Sequence, residues 1–142
     1  MDSAAHLILT ILIFGWDPYA IMGCLLPDTL YWVAFIRTKG KGYRGSSIFS
    51  WGERLHSLFI LPILGLLLYL MSYNSSFLIF TEAVFLHLIT DLITHRTEGP
   101  RFFWPILDEY YPRGLVDWCK PAVIISYYLL LLTLAVFMRF FI

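Results

Sequence analysis

The sequence predicts an all-α fold, a polytopic transmembrane helix bundle with four to five membrane segments, forming a single domain over residues 1–142. Three observations carry this. Of the 142 residues, 59% are hydrophobic and 14% charged, whereas a soluble domain is about 45–50% apolar and about 25% charged. The mean hydropathy of +0.73 implies more apolar surface than a globule of this size can hide without a large exposed patch. The apolar residues also fall into long runs, comparable with the roughly 20 residues a helix needs to cross hydrocarbon.

The first run, about 4–14, is broken by Gly15-Trp16-Asp17-Pro18. It is compatible with a short span, a re-entrant arm or an interfacial helix, and the short span is preferred. It has no basic n-region and no small-x-small cleavage site before Trp16, so it reads as part of the fold rather than as a signal peptide. The second run, 19–36, carries Pro27-Asp28 inside it. The third, 57–73, ends at the polar turn Asn74-Ser75-Ser76, and the fourth, 77–95, follows directly. A longer polar loop, 96–120, leads to the fifth, 121–142.

Lysines and arginines orient the bundle. Loop 37–55 holds Arg37, Lys39, Lys41, Arg44 and Arg54; loop 96–120 holds Arg96, Arg101, Arg113 and Lys120. The turns at 15–18 and 72–76 hold none. If runs two to four all span, both basic loops fall on one face, which reads as cytoplasmic, and Arg139 alone lies on the other. A formal net charge of zero argues against nucleic acid as a partner, because phosphate neutralisation needs a basic surplus. The two cysteines, Cys24 and Cys119, make neither a disulfide framework nor a Cys-x-x-Cys pair.

Ionisable groups inside such runs are costly, at least about 2.5–3.5 kcal/mol for a charge at the bilayer centre, and are usually functional. Here His6 opens the first run, Asp28 lies within the second, His56 begins the third, and Glu82, His87, Asp91 and His95 lie in the fourth. His87, Asp91 and His95 are spaced i, i+4, i+8 and share a helix face, half of a divalent-metal site. In the inferred topology, Asp28 and the three other runs' ligands reach one level of the membrane, with Pro27 able to kink the second segment. Any one of these groups alone is as well explained by an interhelical hydrogen bond or, for Asp28 and Asp91, an ion pair with Arg54 or Arg96. Glu82 and the tryptophans read as structural or interfacial. Together the His and Asp set points to a metal or proton-handling site.

The ordered series MDSAAH to His6, GCLLPD to Asp28, ERLHSL around His56, HLITDLITH from His87 and FFWP to Pro105 resembles the membrane-bound metal-dependent hydrolase family. This is the YdjM-like group of LexA-binding, inner-membrane-associated hydrolases, and the likeness covers most of residues 1–120. The resemblance implies a multi-pass protein of a prokaryotic inner (cytoplasmic) membrane. It also implies a divalent cation, zinc first and manganese or magnesium as alternatives, on His6, Asp28, His56, His87 and Asp91, with His95 as a further candidate. The chain departs from the family's Pro-Asp-x-Asp pattern at Leu30, and from another expected histidine within Gly99-Pro100-Arg101, which would reduce two metals to one or abolish activity.

Three functions compete. The leading one is a metal-dependent hydrolase of a phosphoester or lipid headgroup at the cytoplasmic leaflet, acting on a membrane lipid or lipid-linked substrate. In it His6 or His95 is a ligand or general base, and Arg54 and Arg96 hold the phosphate. The others are a non-catalytic metal- or partner-binding membrane protein, alone, as a homo-oligomer or with a partner subunit, and an ion- or proton-handling bundle. The last is weakened because the third and fifth runs carry almost no polar side chains, which confines polarity to one leaflet.

Overall fold

A computed structural model describes residues 3–96, 99–110, 114–118 and 120–141, excepting the side chains of 139–141. Met1 and Asp2 of the first motif, Thr97, Glu98, Arg113, Cys119 and the Arg139 side chain lie outside the described residues. All regular structure among them is helical: α1 (Ser3–Phe14), α2 (Pro18–Arg37), a 3-10 turn (Tyr43–Gly45), α3 (Ser47–Leu55), α4 (Ile60–Ser72), α5 (Ser76–Thr94) and α6 (Pro121–Phe141). α2, α5 and α6 are each long and apolar enough to cross a membrane, and α3 with α4 makes a fourth if that bent pair is one span.

Local chemistry sets the boundaries. Gly15 adopts a positive φ of 68° after α1. Asp17 Oδ1 then accepts the amides of Tyr19 and Ala20 at 2.8 and 2.9 Å, with Pro18 in the first turn, where its missing N–H costs nothing. Ser46 caps α3 by accepting the Phe49 amide at 3.2 Å. Tyr73, with φ 52°, closes α4, and Asn74 Oδ1 accepts the Ser76 amide at 3.0 Å to start α5.

The structure modifies two expected elements. Loop 37–55 contains α3, an amphipathic helix, rather than being polar loop throughout. The third run is helical only from Ile60, and α3 and α4 meet at a 60° bend. The bend is held from outside. The Leu58 amide donates to Phe102 O at 2.8 Å, and Ser57 Oγ donates to Trp104 O while accepting the Phe59 amide at 3.1 Å. The loop after α5 therefore satisfies backbone groups that a continuous helix would have used itself.

α5 is the centre of the bundle, with α2 and α4 packed along it. Glycines allow the close approach. A Cβ on Gly23 would lie 2.4 Å from Phe80 O, and one on Gly65 would lie 2.2 Å from Thr81 Oγ1, the small-residue contact typical of helices packed in lipid. Leu61, Phe80, Val84, Leu88 and Phe102 form the main apolar core. α1 packs against α2, α5 and α6, and Leu131 of α6 meets Ala5. The outer faces of α4 and α6 stay apolar and exposed, as at Leu64, Leu67, Leu129 and Leu132. Both basic loops meet at one end of the bundle.

Candidate metal centre and cleft

All four histidines of the chain surround Asp91. α1 supplies His6, α2 supplies Asp28, the α3–α4 bend supplies His56, and α5 supplies His87 and Asp91, with His95 at its C-terminal cap. His6, His56, His87, Asp28 and Asp91 are all buried. Two overlapping trios, His6–His87–Asp91 and Asp28–His56–His87, each bring their ligand atoms within 4.8 Å of one another. Buried His and Asp groups so placed are able to hold a metal ion.

The hydrogen bonds around the rings fix which nitrogen is free. His56 Nδ1 lies 2.9 Å from Gly52 O. A carbonyl only accepts, so Nδ1 carries the proton and Nε2 is left to face Asp28 Oδ1 at 3.2 Å and Asp91 Oδ2 at 3.6 Å. His6 Nδ1 lies 3.0 Å from Thr90 Oγ1. The Thr90 hydroxyl has carbonyl acceptors in Leu86 O at 2.9 Å and His87 O at 2.8 Å, so its one proton goes there and its oxygen accepts from His6. That leaves His6 Nε2 pointing at Asp91 Oδ1, 2.8 Å away. Fixing the outer nitrogen on a backbone or hydroxyl group is how ligating histidines are ordinarily oriented.

His87 differs. Among the described residues, neither of its ring nitrogens has a hydrogen-bond partner, although the residue is 1% exposed. It stacks on His6, with centroids 3.8 Å apart, and aims Nε2 between Asp91 Oδ2 at 3.3 Å and Asp28 Oδ1 at 3.8 Å. Its Nε2 thus faces two carboxylates with no hydrogen bond to either. The same two carboxylates also face His6 Nε2 and His56 Nε2. The donor set thus fits a divalent ion.

A cleft of about 790 Å3 opens onto this cluster. Asp28, His56, Asp91 and His95 form its floor and edge, Trp32 and Phe35 of α2 and Tyr43 and Phe49 its wall, and Arg44, Glu53 and Tyr110 lie around it. His95 sits outside both trios. Its Nδ1 donates to Asp91 O at 2.8 Å, so Nε2 remains available at the cleft. Ser3 Oγ donates to Asp28 Oδ2 and accepts Trp32 Nε1–H at 3.2 Å, tying the start of α1 across the floor.

Of the two arginines expected to hold a phosphate, neither lines the cleft. The Arg54 guanidinium lies over Trp51 and Trp104, 4.9 and 5.7 Å from their centroids, and Arg96 is exposed. Among the described residues, the arginine that lines the cleft is Arg44. Sequence reasoning also missed Thr90 and Glu53. Glu53 accepts the Tyr110 hydroxyl at 3.0 Å, and Arg101 donates to Tyr110 and Asp108, so the loop after α5 is pinned to α3. The signal for Glu53 was the amphipathic period of SIFSWGERL behind a capping Ser46; nothing local marked Thr90 as a partner of His6. Comparison of the chain with protein-family models, with curated proteins and with solved structures gives no match.

Proposed function

We propose that this chain is an integral membrane, metal-dependent hydrolase that uses the His and Asp cluster to cleave a phosphoester presented at one face of the bilayer. The observation that carries the reading is the buried His87, without a hydrogen bond among the described residues and aimed between Asp28 and Asp91, beside two histidines whose Nδ1 protons are already committed. His6, His56, His87, Asp28 and Asp91 would hold the ion, with zinc suited to this N and O set. A bound divalent ion supplies Lewis-acid polarisation of a phosphoryl oxygen and acidifies water toward a pKa of about 7.

The chain's own residues account for the rest. His95, its Nδ1 proton fixed on the Asp91 carbonyl, presents Nε2 to accept a proton from water at the cleft. Arg44 offers a charge-assisted donor to a phosphate oxygen at the cleft. The aromatic wall limits bulk water around the cluster, which strengthens both interactions. In the hydrolysis, water oxygen bonds to phosphorus, the bond to the leaving oxygen breaks, and that oxygen leaves with a proton.

The test is elemental analysis of protein purified in detergent, beside His87→Ala and Asp91→Ala, followed by assay on phosphomonoesters and phosphodiesters. Stoichiometric metal in the wild type and its loss from both variants is the expected result. A wild type that stays metal-free after reconstitution with zinc or manganese refutes the reading and leaves the cluster as an ion-pair network.

A further inference from the structure

We infer that the cleft takes a phosphate-bearing membrane lipid, which reaches the cluster sideways along α2 with its chain on the aromatic wall. This rests on the hydrolase reading above and names its substrate class. Trp32 and Phe35 line the cleft and are 55% and 47% exposed. Exposed aromatic rings of a membrane-length helix therefore border the cleft. Ile36 beside them is 70% exposed, so the route meets α2's lipid-facing side.

The cleft lining is part polar and part apolar. Asp28, His56, Asp91, His95, Glu53 and Arg44 are its ionisable groups, and Tyr43 and Phe49 join Trp32 and Phe35 as aromatic lining. Arg44, at the same cleft, provides the charge complement of a phosphate. Its size lies within the range of about 300–1,000 Å3 typical of small-molecule sites, and its mixed aromatic and ionisable lining matches an amphiphile better than a compact soluble ester.

Depth points the same way. Asp28 lies nine residues before Arg37, about 13 Å along the axis at about 1.5 Å per residue. A reacting bond has to be carried below the plane of the basic loops to reach the floor. Chain burial against the wall does this for a lipid, whereas a freely soluble phosphoester gains nothing from that descent.

The experiment titrates zinc-loaded protein in maltoside detergent with dioctanoyl phosphatidic acid, dioctanoylglycerol and glycerol 3-phosphate by calorimetry, with metal content measured on the same samples. Phosphatidic acid is expected to bind at least about tenfold more tightly than glycerol 3-phosphate, the effect of burying about two methylenes. Trp32→Ala should weaken both lipids by a larger factor than glycerol 3-phosphate, and Trp32→Phe, which keeps the wall, should restore most of the lipid affinity. Arg44→Gln should weaken phosphatidic acid and spare dioctanoylglycerol. Equal affinity for phosphatidic acid and glycerol 3-phosphate, or lipid affinity indifferent to Trp32→Ala in a folded variant, overturns the proposal. Metal-loaded protein without lipid preference removes lateral access alone. Metal-free protein that still prefers the phosphorylated lipid supports the lipid site and removes the hydrolase reading.

Discussion

Asp91→Asn separates a metal centre from a histidine–aspartate ion-pair network, because the two respond with opposite signs. Asp91 faces His6 Nε2 at 2.8 Å, His87 Nε2 at 3.3 Å, His95 Nδ1 at 3.5 Å and His56 Nε2 at 3.6 Å. In a network without metal, those contacts are pairs with imidazolium, and removing the carboxylate charge strands the partner. Breaking a buried pair costs about 3–5 kcal/mol, or roughly 6–20 °C in Tm at about 2–4 °C per kcal/mol for a chain of this size. In a metal centre the metal-free protein instead carries surplus buried negative charge, so the near-isosteric amide leaves its Tm unchanged or raises it. What the variant then loses is the response to zinc. For the wild type at about 1,000 times the dissociation constant, that response is about 4 kcal/mol, or roughly 8–16 °C. Chelator-treated and zinc-reconstituted proteins are compared by thermal unfolding in one detergent. A chelated Asp91→Asn protein that melts several degrees below chelated wild type, together with a wild type indifferent to zinc, would refute the metal-centre reasoning.

Thr90→Val removes the hydroxyl that accepts from His6 Nδ1 while keeping the side chain's volume. Metal affinity should fall about 10–100-fold with stoichiometry unchanged, as read by competition with a chelating dye. Gly65→Ala should destabilise the bundle by about 1–3 kcal/mol, because the new methyl meets Thr81 Oγ1 at 2.2 Å; Thr81→Ala in the same chain should recover part of that loss. Glu53→Gln should loosen residues 106–110 without altering bound metal. Faster hydrogen exchange there, with the α5 amides unaffected, is the outcome to look for.

Much of this was legible in the sequence, for local reasons. Apolar runs bounded by Gly15-Trp16-Asp17-Pro18 and Asn74-Ser75-Ser76 set α2 and α5, because capping groups and breakers act on their own neighbours. The i, i+4, i+8 spacing of His87, Asp91 and His95 follows from the helical period. The third run could not be drawn correctly from its own residues, since its bend depends on Phe102 and Trp104, more than forty positions away. α3 lay hidden in a stretch whose lysines and arginines read as a topology signal.

By itself, then, the sequence determined an all-helical, strongly apolar chain and the set of residues able to bind a metal. Composition and a 3.6-residue period are properties of short segments, and they survive any arrangement of the helices. Tertiary packing decided how that set is used. The glycine contacts at Gly23 and Gly65 bring α2 and α4 onto α5, and only that closeness lets rings from separate segments share two carboxylates. Gly52 O and Thr90 Oγ1 choose which ring nitrogens stay free. The turn after α2 brings Arg44 to the cleft, whereas Arg54 lies over Trp51 and Trp104, because the direction of a side chain depends on what its helix packs against.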